Sequence, residues 1–133
     1  MNNLKKNIEG IILPVPSYYK DNLNLDFDKL KKFLEFQIAR NIKIFYLAST
    51  ASEFEFMSEN ERIEMTRFIA STIGKDHVLL AQPMGSGSIL SQANEGLKMM
   101  EAGASALVIK PQPIKESANF FGSKYLLRSY SPK

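Results

Sequence analysis

The 133-residue chain has no cysteine and one histidine. Without cysteine there are no disulfides, no thiol nucleophile and no thiolate zinc site. One histidine leaves no material for a histidine-rich metal centre, so no metal and no cofactor are expected. No apolar run approaches the roughly 20 residues of a membrane span. The opening stretch, Met1-Asn2-Asn3-Leu4-Lys5-Lys6-Asn7, lacks the apolar core of a secretory signal. A charge block of one sign is missing too. Seventeen basic and 14 acidic residues are interspersed, for a net +3, which is no footprint for nucleic acid. These absences together predict a cytoplasmic protein with no nucleic-acid or membrane partner.

What is present is one domain's worth of chain, residues 1–133, with an ordinary apolar content of 44%. Short apolar runs alternate with amphipathic stretches. Strands are expected over Gly10 to Val15, Ile42 to Ala48, Val78 to Ala81 and Ala106 to Ile109. The first is limited by Pro14 and Pro16, which lack a ladder N–H.

A helix from about Asp26 to Arg40 places Phe27, Leu30, Phe33, Leu34, Gln37 and Ile38 on one face. Asn41 follows where a left-handed residue is wanted. The next helix is the best marked, because Ser58 and Glu61 make a capping box and Gly74 stops it. Its core stripe is Met65, Phe68, Ile69 and Ile73. A third helix, from about Ser88 to Ala102, is expected to turn Ala93, Gly96, Leu97 and Met100 inward before Gly103 ends it. Four βα units at a period of about 30 residues imply an α/β fold with a parallel sheet.

The stretch Phe45-Tyr46-Leu47-Ala48-Ser49-Thr50-Ala51-Ser52-Glu53-Phe54 is the candidate site. A buried strand breaks into small and hydroxyl residues just before a helix. There, backbone N–H groups and hydroxyls can approach an anion without bulky side chains in the way. The plainer reading is a polar turn whose hydroxyls satisfy local backbone groups. Other features are weaker. Gly85-Ser86-Gly87 before a helix has the look of a phosphate cradle, though a flexible turn explains it equally well. Lys110, at the end of the fourth strand, could act as a desolvated amine nucleophile, yet a lysine leaving a strand is usually solvated. His77 precedes the third strand and reads as a surface residue. Tyr18 and Tyr19 would line the mouth of a barrel.

The order of these segments resembles the N-terminal half of the dihydrodipicolinate synthase and N-acetylneuraminate lyase family, class I aldolases on a (β/α)8 TIM barrel. The resemblance covers about residues 8–111, with 112–133 a divergent tail. It rests on five segments: Gly10-Ile11-Ile12-Leu13-Pro14, Leu25-Asp26-Phe27-Asp28, Ser49-Thr50-Ala51-Ser52-Glu53, Met57-Ser58-Glu59-Asn60-Glu61-Arg62 and Gly103-Ala104-Ser105-Ala106-Leu107-Val108. It implies a partial TIM barrel, about four βα units forming an open half-barrel. It also implies a 2-keto acid such as pyruvate, gripped by the loop after the second strand.

By that resemblance Thr50 matches a proton-relaying, catalytic threonine. Ser49, Thr50, Ala51 and Ser52 form the substrate-binding loop, and Glu53 braces it. Ala51 stands for a threonine, so only its N–H remains for the carboxylate. Ser49 and Ser52 stand for glycines, which makes positive φ harder there. The family does not use Lys110. Its Schiff-base lysine and relay tyrosine belong to the sixth and fifth strands, and its fourth-strand tyrosines are replaced here by Gln112 and Pro113.

The expected chemistry is aldol condensation or cleavage, with doubtful activity for this chain alone. The alternative is a non-catalytic interaction or regulatory half-barrel. Four parallel strands do not close, and a parallel sheet wants cover on both faces. Ile11, Leu13, Ile44, Leu47, Leu79 and Val108 are therefore expected to be partly wet. A homo-oligomer or a complementing chain should cover the open edges.

Overall fold

The computed structural model describes residues 8–48, 50–84 and 88–109. Within them the chain runs β1 (Ile12–Pro14), α1 (Phe27–Ile38), β2 (Ile44–Leu47), α2 (Glu59–Ile73), β3 (Val78–Ala81), α3 (Ile89–Glu101) and β4 (Ala106–Leu107). The four strands pair in sequence order, all parallel. This is the α/β arrangement that the alternating pattern predicts. The outer strands are shorter than expected. Ile109 and Val108 lie beyond β4, and Gly10 and Ile11 lie before β1.

Local sequence accounts for each helix boundary. Asp26 caps α1 by accepting the Lys29 N–H at 3.0 Å, which satisfies one of the orphan donors of the first turn. Beyond its last turn Asn41 takes φ 62°, and the Ile42 N–H returns to the Gln37 carbonyl at 3.2 Å. Both arms of the capping box form at α2. The Ser58 side chain accepts from the Glu61 N–H, and the Glu61 carboxylate accepts from the Ser58 N–H at 2.8 Å. Gly74, at φ 72°, ends that helix.

Side chains alternate between sheet faces, and the packing shows which face is which. Phe45, Leu47 and Leu79 share one core with Leu30 and Leu34 of α1 and with Met65, Ile69 and Ile73 of α2. Odd-numbered positions on β2 and β3 therefore face the helices. Even-numbered ones, in the registers Ile12–Ile44–Val78 and Pro14–Tyr46–Leu80–Ala106, face the other way. We call that second face concave, as it would be in a barrel.

Three expectations need correction. Leu13, Leu47 and Leu79 belong to the helix-facing core, not the open face, and Leu47 and Leu79 are buried. Ile44 does lie on the open face, yet it is 1% exposed, because Ile12 and Val78 flank it in register. Leu13 and Val108 are partly exposed, as expected, and Ile11 and Ile12 at the β1 edge and Ile109 after β4 are exposed outright.

The second correction concerns α3. Its buried residues are Gln92, Glu95, Gly96 and Met99, while Ala93, Leu97 and Met100 are exposed. The helix is rolled relative to the expected face, for a reason that lies in α2. Gly96 sits under β4, where an added Cβ would come within 2.8 Å of Leu107 Cδ1. His77 is half-buried, not a free surface residue. Its ring lies 6.0 Å from that of Phe45, and both ring nitrogens are shielded without a hydrogen-bond partner.

Candidate functional site

The loop after β2 emerges at the C-terminal ends of the strands, as two short 3-10 turns over Thr50–Ser52 and Phe54–Phe56. Two non-glycine residues adopt left-handed backbone there, Ala48 at φ 63° and Glu53 at φ 50°. Each costs roughly 1–2 kcal/mol. The serines at 49 and 52 were expected to hinder positive φ. Ser52 does avoid it, and among the described residues of the loop the left-handed positions are Ala48 and Glu53.

Strain of that kind persists only where contacts hold it, and three sets of contacts do. Ser52 is fully buried, and its hydroxyl donates to the Val15 carbonyl at 2.5 Å. Ser17, just past β1, donates in turn to the Ser52 carbonyl and lies 3.6 Å from Met57 Sδ. The third anchor is Arg62. From the second turn of α2 its guanidinium donates to the Phe54 carbonyl at 3.3 Å and to that of Met57. Its Nε donates to Glu95 Oε1 at 2.6 Å, in an ion pair whose side chains are 7% and 1% exposed.

The expected site residues divide as follows. Thr50 and Ala51 lie on the first 3-10 turn, with Ala51 exposed. Ser52 is turned inward as an anchor. Glu53 is exposed and its side chain makes no cap hydrogen bond; on the α2 side Arg62, itself paired with Glu95, reaches the loop carbonyls. Ser49, Gly85-Ser86-Gly87, Lys110 and the segment 112–133 lie outside the described residues.

Sequence reasoning missed the role of Arg62, which figured only as one letter of a helix-start motif. It missed Glu95 entirely. The available signal was Gln92, Glu95 and Met99, a second three-and-four series on α3 that competes with the apolar one.

Of the aromatic pair after β1, Tyr18 packs against Phe33 of α1, with ring centroids 6.1 Å apart. Tyr19 instead faces the loop. Burial raises its phenol above the usual range, the carboxylates of Glu61 and Glu53 push the same way, and a hydrogen bond with Ser17 opposes them. On the concave face Tyr46 donates its O–H to Gln82 Oε1, and burial raises that phenol too. A separate cleft, lined by Glu9, Lys43, Lys75, Asp76, His77 and Ser105, opens at the N-terminal ends of the strands, away from this loop. Among the described residues no cluster of three or more metal-ligating side chains occurs, and no helix is long and apolar enough to cross a membrane.

Comparison with known proteins agrees with this geometry. The profile of the Dihydrodipicolinate synthetase family matches residues 7–119, somewhat beyond the expected 8–111. The chain is 28% identical over 104 residues to the 4-hydroxy-tetrahydrodipicolinate synthase of Bdellovibrio bacteriovorus, covering 78% of this chain and 35% of that protein. It is 29% identical over 111 residues to the enzyme of the same name from Leuconostoc mesenteroides, covering 83% of this chain and 37% of that one. A solved dihydrodipicolinate synthase family protein from Coccidioides immitis superposes with a TM-score of 0.76 at 16% identity, over 90% of this chain and 37% of that chain. The chain thus spans about a third of the length of the curated relatives it matches.

Proposed function

This chain belongs to the dihydrodipicolinate synthetase family, and from that premise we propose that it contributes the carboxylate-holding part of a class I aldolase-type site for 2-keto acids such as pyruvate. Thr50 and the N–H of Ala51 receive the carboxylate, with Ser49 beside them. The observation that carries this reading is the contrast within the loop. Ser52, Phe54 and Met57 are tied down from β1 and α2, while Ala51, immediately before them, stays exposed. Donors held in a fixed, strained loop are preorganised for an anion in a way that a mobile turn is not.

The covalent step of this chemistry needs an amine that condenses with the keto carbon, and by resemblance that amine belongs to the sixth strand. The four strands and three helices of this chain would supply binding and orientation. The lysine would come from a complementing segment or chain.

An NMR titration of the 15N-labelled chain with millimolar pyruvate tests this. Shifts concentrated on the amides of Thr50, Ala51 and Glu53 are expected, and an unchanged loop would refute the reading. Borohydride reduction with pyruvate addresses the imine separately. No adduct is expected on the described strands.

The second reading, a non-catalytic interaction or regulatory module, draws on Ser52 and Ala51. One hydroxyl is committed to a structural bond, and the other position has none. Loop amides that ignore pyruvate in a well-folded chain would favour it.

A further inference from the structure

The concave face is apolar with one exception. Its strand positions run through isoleucine, valine, leucine, alanine and proline in register. Among the described residues of β1 to β4 and the position after β3, only Tyr46 and Gln82 carry polar side-chain atoms there. Gln82 directly follows β3 and continues the ladder, its N–H donating to the Leu47 carbonyl at 3.2 Å. The preceding Ala81 packs towards α3 in a cluster with Met99, so alternation puts the Gln82 side chain on the concave side.

The phenol of Tyr46 reaches one register row up the sheet to meet it. The pair therefore sits at the C-terminal end of the concave face, in the row level with Ala48, where the loop begins. A polar pair inside an otherwise apolar surface must repay its desolvation. A bond between the two repays part of it. With Oε1 taken by the phenol, the amide N–H donors of Gln82 remain, on a side chain whose residue is 5% exposed.

We propose that Tyr46 and Gln82 form a second polar subsite beneath the β2 loop, one that receives the 2-oxo oxygen of the acid whose carboxylate the loop holds. This rests on the cradle reading above and adds selectivity to it. A 2-oxo acid carries its two oxygen functions on adjacent carbons. A carboxylate fixed at the loop therefore brings the oxo group within reach of a donor set just below. Tyr46 is the positioning member, because its O–H holds the amide so that Nε2 is presented and Oε1 is not. A simple carboxylate such as propionate has nothing to offer this subsite.

Calorimetric or NMR titration of wild type, Tyr46→Phe and Gln82→Met with pyruvate and with propionate tests the assignment. The wild type is expected to prefer pyruvate. Each variant should lose about tenfold in pyruvate affinity, the worth of one well-placed hydrogen bond, and keep its propionate affinity within about twofold. Loss of both ligands in parallel would mean that the pair only supports the sheet, and unchanged affinity for both would remove it from the site. Either result overturns the proposal. A wild type that binds propionate and pyruvate equally leaves the loop cradle standing without this subsite, whereas one that binds neither removes both. Two chemically different substitutions, with circular dichroism on each, keep the test decisive if one fails to fold.

Discussion

Replacing Arg62 by methionine would remove the ion-pair partner of the Glu95 carboxylate, 1% exposed, and the guanidinium bonds to two loop carbonyls at once. Breaking a buried pair from one side costs roughly 3–5 kcal/mol, because the remaining charge is uncompensated. Removing both charges with apolar residues of similar volume is often close to neutral for stability. Urea denaturation of Arg62→Met and of Arg62→Met/Glu95→Leu should therefore show a large loss for the single variant and substantial recovery for the double. The double variant should still have a loosened loop, since no guanidinium ties the carbonyls of Phe54 and Met57 to α2. Faster amide exchange over residues 53–57 would report that. Recovery of both stability and exchange protection would mean the guanidinium does not hold the loop. At Asp26 the sign runs through pH. The hydrogen bond from the Lys29 N–H, with help from the Lys29 ammonium, lowers its carboxyl below the usual range. A depressed carboxyl stabilises the fold above its unfolded pKa, and that contribution fades as pH falls through the folded value. Melting temperature should drop on acidification below about pH 4, and Asp26→Asn should show a shallower drop over the same interval.

The elements differ in how much of them was readable from the chain. α2 was legible almost to the residue, because Ser58, Glu61 and Gly74 are local signals whose physics needs no distant partner. The roll of α3 was not, and Glu95 shows why. A glutamate is a sound prediction for solvent until an arginine 33 positions away in sequence is folded against it, and Leu97 and Met100 then lose the inner face. In the loop, Ser49-Thr50-Ala51-Ser52 was recognisable as a candidate site from its composition. That Ser52 turns inward depends on where β1 ends, which composition does not encode. The α3–β4 connection offers a direct test of such hidden geometry. Gly103 has φ 112°, and an added Cβ would lie 2.7 Å from Ala70 Cβ on α2. Neither the backbone conformation nor the contact can relax cheaply, since the neighbour is itself a short, stiff side chain. Gly103→Ala should cost about 2 kcal/mol or more, read as a lower denaturation midpoint. A neutral result would mean that the α2–α3 spacing is softer than it looks.

Among the described residues, some exposed apolar side chains stand at the two ends of the sheet, where a closed barrel would continue, while others such as Leu23, Phe36 and Phe56 lie elsewhere. Ile11 and Ile12 stand at the free edge of β1, 70% and 44% exposed. At the other end Leu97 and Met100 of α3 are 63% and 41% exposed, with Ile109 following β4 at 58%. Between these ends lies the concave face, covered by no helix among the described residues. A sheet whose two edge strands, β1 and β4, have no outer partner among the described residues gains most by meeting the complementary edge of another sheet. Two such crescents would bring eight strands together, the count of the family barrel. That geometry predicts self-association, or capture of a chain carrying the complementary strands. Analytical ultracentrifugation over a hundredfold concentration range should show mass rising above 15.0 kDa, with melting temperature rising alongside it, as mass action requires. Ile11→Lys/Ile12→Lys places charge on the β1 edge and should suppress that association. The same change leaves the helix-facing core intact, so the variant monomer should keep its helical circular dichroism while melting at the low-concentration temperature of the wild type. A wild-type monomer whose stability is independent of concentration would refute edge pairing and leave the concave face to be covered from within the chain.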